Sequence, residues 1–271
     1  VTTTGFPVDL QIGKWRTSSD AGQDWSFTDR LRGLNTIGSE SYVPSLRSTN
    51  INAESTSLLG FNFTNTTYKL GSYYNGLSKV FYNLRRAPGF MDVVAYTGTG
   101  VADHVVNHNL GVAPEWIITK KRTSAGFQDW YTVSSVYYNT IPYDRQSALD
   151  INNGFTGGGY ISEADSTSFT LKNVYVGNEP GAPIIAYLFA SVPNVSKVGT
   201  YTGTGSDVNV DCGFSSGARF VYVQRADATG TGKYIWDSAR GIVSGNDPYL
   251  LINSTAAEEP NTDYIDPLAS G

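Results

Sequence analysis

One cysteine, one methionine and two histidines among 271 residues leave little of the side-chain chemistry from which metal and redox sites are built. Cys212 alone excludes an intrachain disulfide, which sets the chain apart from small secreted scaffolds held by such bridges. Charged residues are also few, 16% of the chain with a net charge of -5. Nucleic acid demands clustered Lys and Arg that release counterions, so it is not an expected partner. The nearest approach to a basic cluster, Lys120, Lys121 and Arg122, reads as a solvated strand end. No stretch of about 18 apolar residues occurs, and the opening V-T-T-T-G-F-P-V-D-L has no basic region before an apolar run. Membrane insertion is therefore not expected.

Glycine, with tyrosine, threonine, serine and asparagine, is abundant instead. That balance suits short strands joined by turns better than long helices. An internal repeat organises them. Y-T-G-T-G begins at Tyr96 and again at Tyr201, 105 residues on, and Asp24-Trp25 is followed by Asp129-Trp130 at the same distance. Trp236 follows Trp130 by 106, R-L-R-G around Gly33 matches S-A-R-G around Gly241, and I-N-A-E around Glu54 matches S-T-A-A-E around Glu258. The frame predicts an all-β chain of tandem sandwich-like modules: a partial repeat over 1–95, a complete one over 96–196 and a partial one over 197–271. On that frame the chain is expected to be a fragment of a longer protein or to borrow strands at its ends.

Period-two alternation places strands in R-F-V-Y-V-Q-R (Phe220 to Val223) and W-I-I-T-K-K (from Trp116), both covered on two faces. Apolar runs at Ile184 to Ala190 and Val80 to Tyr82 predict central strands. Asp29 to Arg32 and Asp237 to Arg240 are each long enough for one helical turn.

No catalytic, cofactor-binding or metal-binding residue emerges. His104 and His108 would lie on one side of a strand, as two metal ligands would, but the third repeat has no histidine there. Y-T-G-T-G has neither the lysine nor the following helix of a phosphate loop and reads as a strand opening at a twist or bulge. Asp24 and Asp129 are the best acids for glycoside hydrolysis, yet their third counterpart is Ile235, and Glu54 and Glu258 read as cap or turn residues. Tyr73, Tyr74, Tyr137, Tyr138 and Tyr143 are candidate surface rings for stacking on a sugar or a protein partner.

With the repeat laid out, V-N-H-N-L-G-V-A-P-E-W-I-I-T-K-K-R, D-W, S-F-T-L and I-I-A-Y-L-F-A behind Y-T-G-T-G resemble a repeated module of predicted virion and tail-fibre proteins of tailed bacteriophages, notably marine ones. The first repeat carries the pattern as F-P-V-D-L-Q-I-G-K-W-R, D-W, R-G and N-A-E, and the third as F-V-Y-V-Q-R, W-D-S-A-R-G and N-S-T-A-A-E. The middle repeat lacks the R-G and A-E pieces. The resemblance implies a place in a phage particle and supplies no catalytic residues to carry over; no enzymatic activity is expected. The expected role is a tail fibre or appendage component, homo-oligomeric, meeting other virion proteins and a bacterial surface glycan or protein. A capsid decoration or tail-assembly role is the alternative, and a polysaccharide depolymerase the third.

Overall fold

Alternation gathers apolar side chains on one face of a sheet, and three of the sheets here bury such faces against one another. The computed structural model describes residues 2–17, 24–33, 35–37, 40–49, 51–55, 61–63, 67–70, 78–123, 129–137, 141–172 and 175–271. The chain is nearly all β, and the single helical element among the described residues is a 3-10 turn at Arg30–Arg32.

The first module supplies β1 (Thr2–Thr3), β2 (Leu10–Trp15), β3 (Ser26–Asp29), β4 (Asn35–Ile37), β5 (Glu40–Tyr42), β6 (Ser45–Arg47), β7 (Phe61–Phe63), β8 (Thr67–Leu70) and β9 (Lys79–Leu84). Four of them form an antiparallel sheet in the order β9-β2-β3-β6, and β1-β8-β7 form another. The second module runs through β10 (Met91–Thr97), β11 (His104–Asn107), β12 (Trp116–Lys121), β13 (Tyr131–Ser134), β14 (Arg145–Ala148), β15 (Thr156–Gly157), β16 (Ile161–Ala164), β17 (Ser168–Leu171) and β18 (Pro183–Phe189). Its six-stranded sheet has the order β10-β18-β12-β13-β14-β15, beside a smaller sheet β11-β17-β16. The third module contributes β19 (Phe220–Gln224), β20 (Lys233–Asp237) and β21 (Leu250–Leu251), in that order. One strand order thus recurs: β9-β2-β3-β6, β18-β12-β13-β14, and β19-β20-β21 without a flanking first member.

The inner faces of these three sheets share a core. Leu10, Trp25, Phe27 and Leu46 meet Ile118, Trp130, Leu149 and Tyr187, and Ile235, Leu250 and Ile252 complete it from the third module. The six-stranded sheet is covered on its other face by β11-β17-β16, with Ile117, Val133, Phe169, Leu171 and Leu188 between them. This two-sided burial explains the continuous apolar run of β18: Ile185 and Tyr187 face the shared core, Ala186 and Leu188 the second one. The expected central strand is confirmed there. Val80 to Tyr82 differs, since β9 is an edge strand in its sheet.

The repeat landmarks also shift. Met91 begins a strand of the second module's sheet, ahead of Tyr96, and Tyr96-Thr97 close that strand rather than open one. Residues 201–205 are in no strand. The two R-G pieces are turns capped alike: the carboxylates of Asp29 and Asp237 accept the backbone N–H of Arg32 and Arg240, and each arginine is followed by a glycine at positive φ, Gly33 at 75° and Gly241 at 118°.

Candidate functional site

Strand register identifies which residues are equivalent across modules. Leu10 pairs with Asp29, Trp116 with Ser134 and Phe220 with Asp237. Gly13 pairs with Ser26, Thr119 with Tyr131 and Val223 with Tyr234. One residue before Ser26, Tyr131 and Tyr234 stand Trp25, Trp130 and Lys233. The counterpart of Trp25 and Trp130 is therefore Lys233, and the sequence match to Trp236 is three residues out of register. By the same correction the counterpart of Asp24 and Asp129 is Gly232, not Ile235.

These three equivalent residues bond in a ring. Trp25 Nε1 donates to the Leu251 carbonyl at 2.7 Å, Trp130 Nε1 to the Arg47 carbonyl at 2.7 Å, and Lys233 Nζ to the Ala148 carbonyl. The acceptors are themselves equivalent, for Ser26 pairs with Arg47, Tyr131 with Ala148 and Tyr234 with Leu251. The first module thus donates to the third, the second to the first and the third to the second. This cyclic pattern makes the chain a closed, pseudo-threefold body.

A larger polar cluster sits at two of the three interfaces. Between the first and second modules, Tyr187 donates its hydroxyl to Asp29 Oδ2 at 2.9 Å, and Arg32 Nε reaches the same oxygen at 2.6 Å. Arg32 also donates to the Phe27 carbonyl at 2.7 Å and lies 3.6 Å from Glu54. Glu54 in turn receives both arms of Arg122, at 2.9 and 2.8 Å. Between the third and first modules the same set of five residues recurs in kind. Tyr82 donates to Asp237 at 2.7 Å, Arg240 bonds Asp237 at 2.5 Å, the Ile235 carbonyl at 2.9 Å and Glu258 at 3.1 Å, and Arg16 clasps Glu258 at 2.9 and 2.7 Å. A backbone bond accompanies each clasp, from Glu54 N to the Arg122 carbonyl and from Glu258 N to the Arg16 carbonyl, both 3.0 Å.

Both glutamates are thus ties between modules, not caps. Bidentate arginine–carboxylate geometry makes such ties directional. Burial opposes the charges on Arg240 and Asp237, yet their mutual attraction prevails, raising the arginine pKa and lowering that of the acid.

The third interface has the same backbone and different chemistry. Phe155 N donates to the Ala226 carbonyl at 2.8 Å, as Glu54 and Glu258 do to their arginines. Phe155 packs on Tyr137 with ring centroids 4.6 Å apart. Tyr137 lies three residues beyond Ser134, as Arg32 lies beyond Asp29, so an aromatic pair replaces the ion pair. Tyr137 is consequently buried, and so is Tyr143, whose hydroxyl donates to the Pro114 carbonyl. Neither is a surface ring, because each hydroxyphenyl group fills space within the fold. Tyr73, Tyr74 and Tyr138 lie outside the described residues.

Two of the three residues in the supposed solvated cluster are buried as well, and Arg122 is half-buried. Lys120 and Lys121 are covered, Lys121 pairing with Glu179 at 2.6 Å and Arg122 with Glu54. Lys14 and Lys233 are equally buried, and Lys14 donates to the Ser254 carbonyl at 3.2 Å. Burial lowers the pKa of Lys14, Lys120 and Lys233 to about 8, against the opposing pull of Asp24 on the first and Asp150 on the other two. Unfolding restores the ordinary value near 10.5, so between pH 8 and 10 the unfolded chain binds more protons. Stability should rise with pH across that window, by at most about 1.4 kcal/mol per pH unit for each group. Urea denaturation at pH 7.5, 8.5 and 9.5 checks the sign, and Lys233→Met should reduce the slope. Above pH 10 the trend reverses, since burial keeps Tyr96, Tyr160 and Tyr187 neutral while unfolded tyrosines ionise. A profile that is flat or falling from 8 to 9.5 would contradict this account.

The remaining candidates are dispersed. His104 Nδ1 lies 2.9 Å from Asn178 Oδ1, whereas His108 is buried and accepts the Leu110 N–H. Among the described residues no group of three or more histidine, cysteine or acidic side chains is placed to hold a metal. Asp24, bonded by Thr49 and Arg47, and Asp129 precede strands of different sheets. A small recess is lined by Thr119, Lys121, Asp129, Tyr131, Tyr175 and Glu179, and Tyr175 is exposed at its rim. No described helix is long and apolar enough to cross a membrane. In comparison with known proteins, one family model, described as a domain of unknown function (DUF7483), matches residues 17–271. No curated protein and no solved structure matches.

Proposed function

We propose a structural, non-catalytic role for this chain, which belongs to the DUF7483 family of domains of unknown function. The observation that carries the reading is the repeated Tyr–Asp–Arg–Glu–Arg cluster. The most highly organised charged groups of the molecule lie between modules and lock them together, where an enzyme would gather such groups in an open cleft. A rigid body of this kind suits a building block of a larger assembly. The sequence resemblance to phage virion modules supports a tail fibre or similar appendage of a tailed bacteriophage, in contact with other virion proteins.

Attachment to a host surface is the second part of the proposal. Tyr175, exposed beside Asp129, Tyr131 and Glu179, presents an aromatic ring next to polar groups, the combination that stacks on and hydrogen-bonds a sugar. Several copies in one appendage would bind by many weak contacts.

Immunogold labelling of intact particles with antibody to this chain should decorate the tail, and purified protein should bind host cells in a manner weakened by Tyr175→Ala. Labelling confined to the capsid would favour a decoration protein instead. Absence from particles would end the virion reading. Release of oligosaccharide from host glycan by the purified protein would end the non-catalytic one.

A further inference from the structure

Among the described residues, the first strand of each repeating sheet has a flanking neighbour in two modules and none in the third. β2 is paired along its outer edge by β9, and β12 by β18, but β19 ends its sheet among the described residues. Burial records the difference. Leu10, Gln11, Ile12, Gly13 and Lys14 are all buried, as are the five residues after Trp116 in β12, whereas Phe220 is 44% exposed and Val221 to Gln224 are half-buried. The alternation in β19 had predicted cover on both faces, and that cover is missing. Residues 269–271 do not supply it, since they bond residues 212 to 218, ahead of the strand.

We infer that the outer edge of β19 accepts one antiparallel strand from a different protein, by β-augmentation. The two occupied copies of the site specify that strand. β9 and β18 are apolar segments of six and seven residues, K-V-F-Y-N-L and P-I-I-A-Y-L-F. Each places a tyrosine opposite the third core position of its partner, Tyr82 against Ile12 and Tyr187 against Ile118. The equivalent position in β19 is Tyr222.

The tyrosine is not incidental. In both occupied copies it crosses to the neighbouring module and donates to the acid that caps the R-G turn, Asp237 or Asp29. At the open copy the equivalent residue is Ser134, with a hydroxyl able to receive the same bond. Tyr82 also rests edge-on against Phe220 at 4.8 Å. The counterpart of Phe220 beside the open site is Trp116, itself half-buried and stacked on Tyr222 at 5.1 Å. An incoming tyrosine would meet that pair. Geometry alone carries this proposal, which holds whether or not the chain is a phage protein.

Soluble peptides carrying the β9 or the β18 sequence between lysine tags are the probes. Each should bind the intact chain one to one and slow amide hydrogen exchange at Phe220 to Gln224. A peptide with the tyrosine replaced by alanine should bind about tenfold more weakly, and a scrambled peptide not at all. Gln224→Pro should weaken binding by removing an N–H that faces the open edge, since Val221 and Val223 bond β20, and Phe220→Lys, at an exposed position, should weaken it too, with near-ultraviolet circular dichroism checking that the fold persists. No binding, or binding unaffected by Phe220→Lys, would overturn the inference. Concentration-dependent dimerisation that protects the same amides would overturn it too, by making a second copy of this chain the occupant.

Discussion

Asp29→Ala should lower the unfolding free energy by about 3–5 kcal/mol, the cost of leaving a buried cation without its partner. Arg32 is fully covered, and Asp29 supplies both its closest anionic contact and the acceptor for the Tyr187 hydroxyl. With the carboxylate gone, Glu54 at 3.6 Å is already held by Arg122, and the Tyr187 O–H is also stranded. Combining Asp29→Ala with Arg32→Met should cost less than Asp29→Ala alone, because the uncompensated charge leaves with the arginine. Urea denaturation of the two single variants and the double variant tests this directly. Additive losses would show that the pair contributes only through packing. Asp237→Ala should behave like Asp29→Ala, since Arg240 is similarly covered and similarly bonded.

The second large effect belongs to Trp130. Its ring is fully buried, packs on Phe27 with centroids 4.6 Å apart and stacks on Tyr187, so Trp130→Ala removes a large side chain at the meeting of two modules. A loss of about 3–5 kcal/mol is expected from the cavity, with about 1 kcal/mol more for the bond to the Arg47 carbonyl. Trp130→Phe should fall between, restoring part of the volume and none of the bond. The diagnostic point is where the damage spreads. Because the acceptor lies in the first module, hydrogen exchange should quicken at Ser45 to Arg47 as well as around residue 130. Acceleration confined to the second module would contradict the ring of inter-module bonds.

Much of the strand content was legible because alternation and turn residues are local signals. The apolar run of β18, the helical turn at Arg30–Arg32 and the structural character of Trp25 and Trp130 all follow from such signals. The recurrence of R-G and A-E was visible too, and it was the trace of the polar clusters. What spacing does not show is that Glu54 belongs with Arg122 and Glu258 with Arg16, since each pair joins different modules across long sequence separations. A search for charged residues recurring together, arginine with glutamate, would have found the candidates without showing how they pair.

Other features misled because one residue type was taken to keep one position. The third module carries a tryptophan near the expected place, yet register gives that place to Lys233, whose ammonium makes the bond an indole makes elsewhere. Hydrogen-bond donation was retained while the side chain changed, and a match on residue identity cannot see that. Likewise Tyr137 looked like a loop aromatic, although it stands where two other modules bury an arginine.

By itself, the sequence determined the all-β class, the recurring landmarks and the scarcity of cysteine, methionine and histidine, because composition and alternation act within a few residues of chain. Only the tertiary structure decided that the modules close into a ring, which charges are buried and which strand edge stays open. Those outcomes depend on surfaces brought together from distant parts of the chain, and whether a charge is costly or stabilising is set by what then surrounds it.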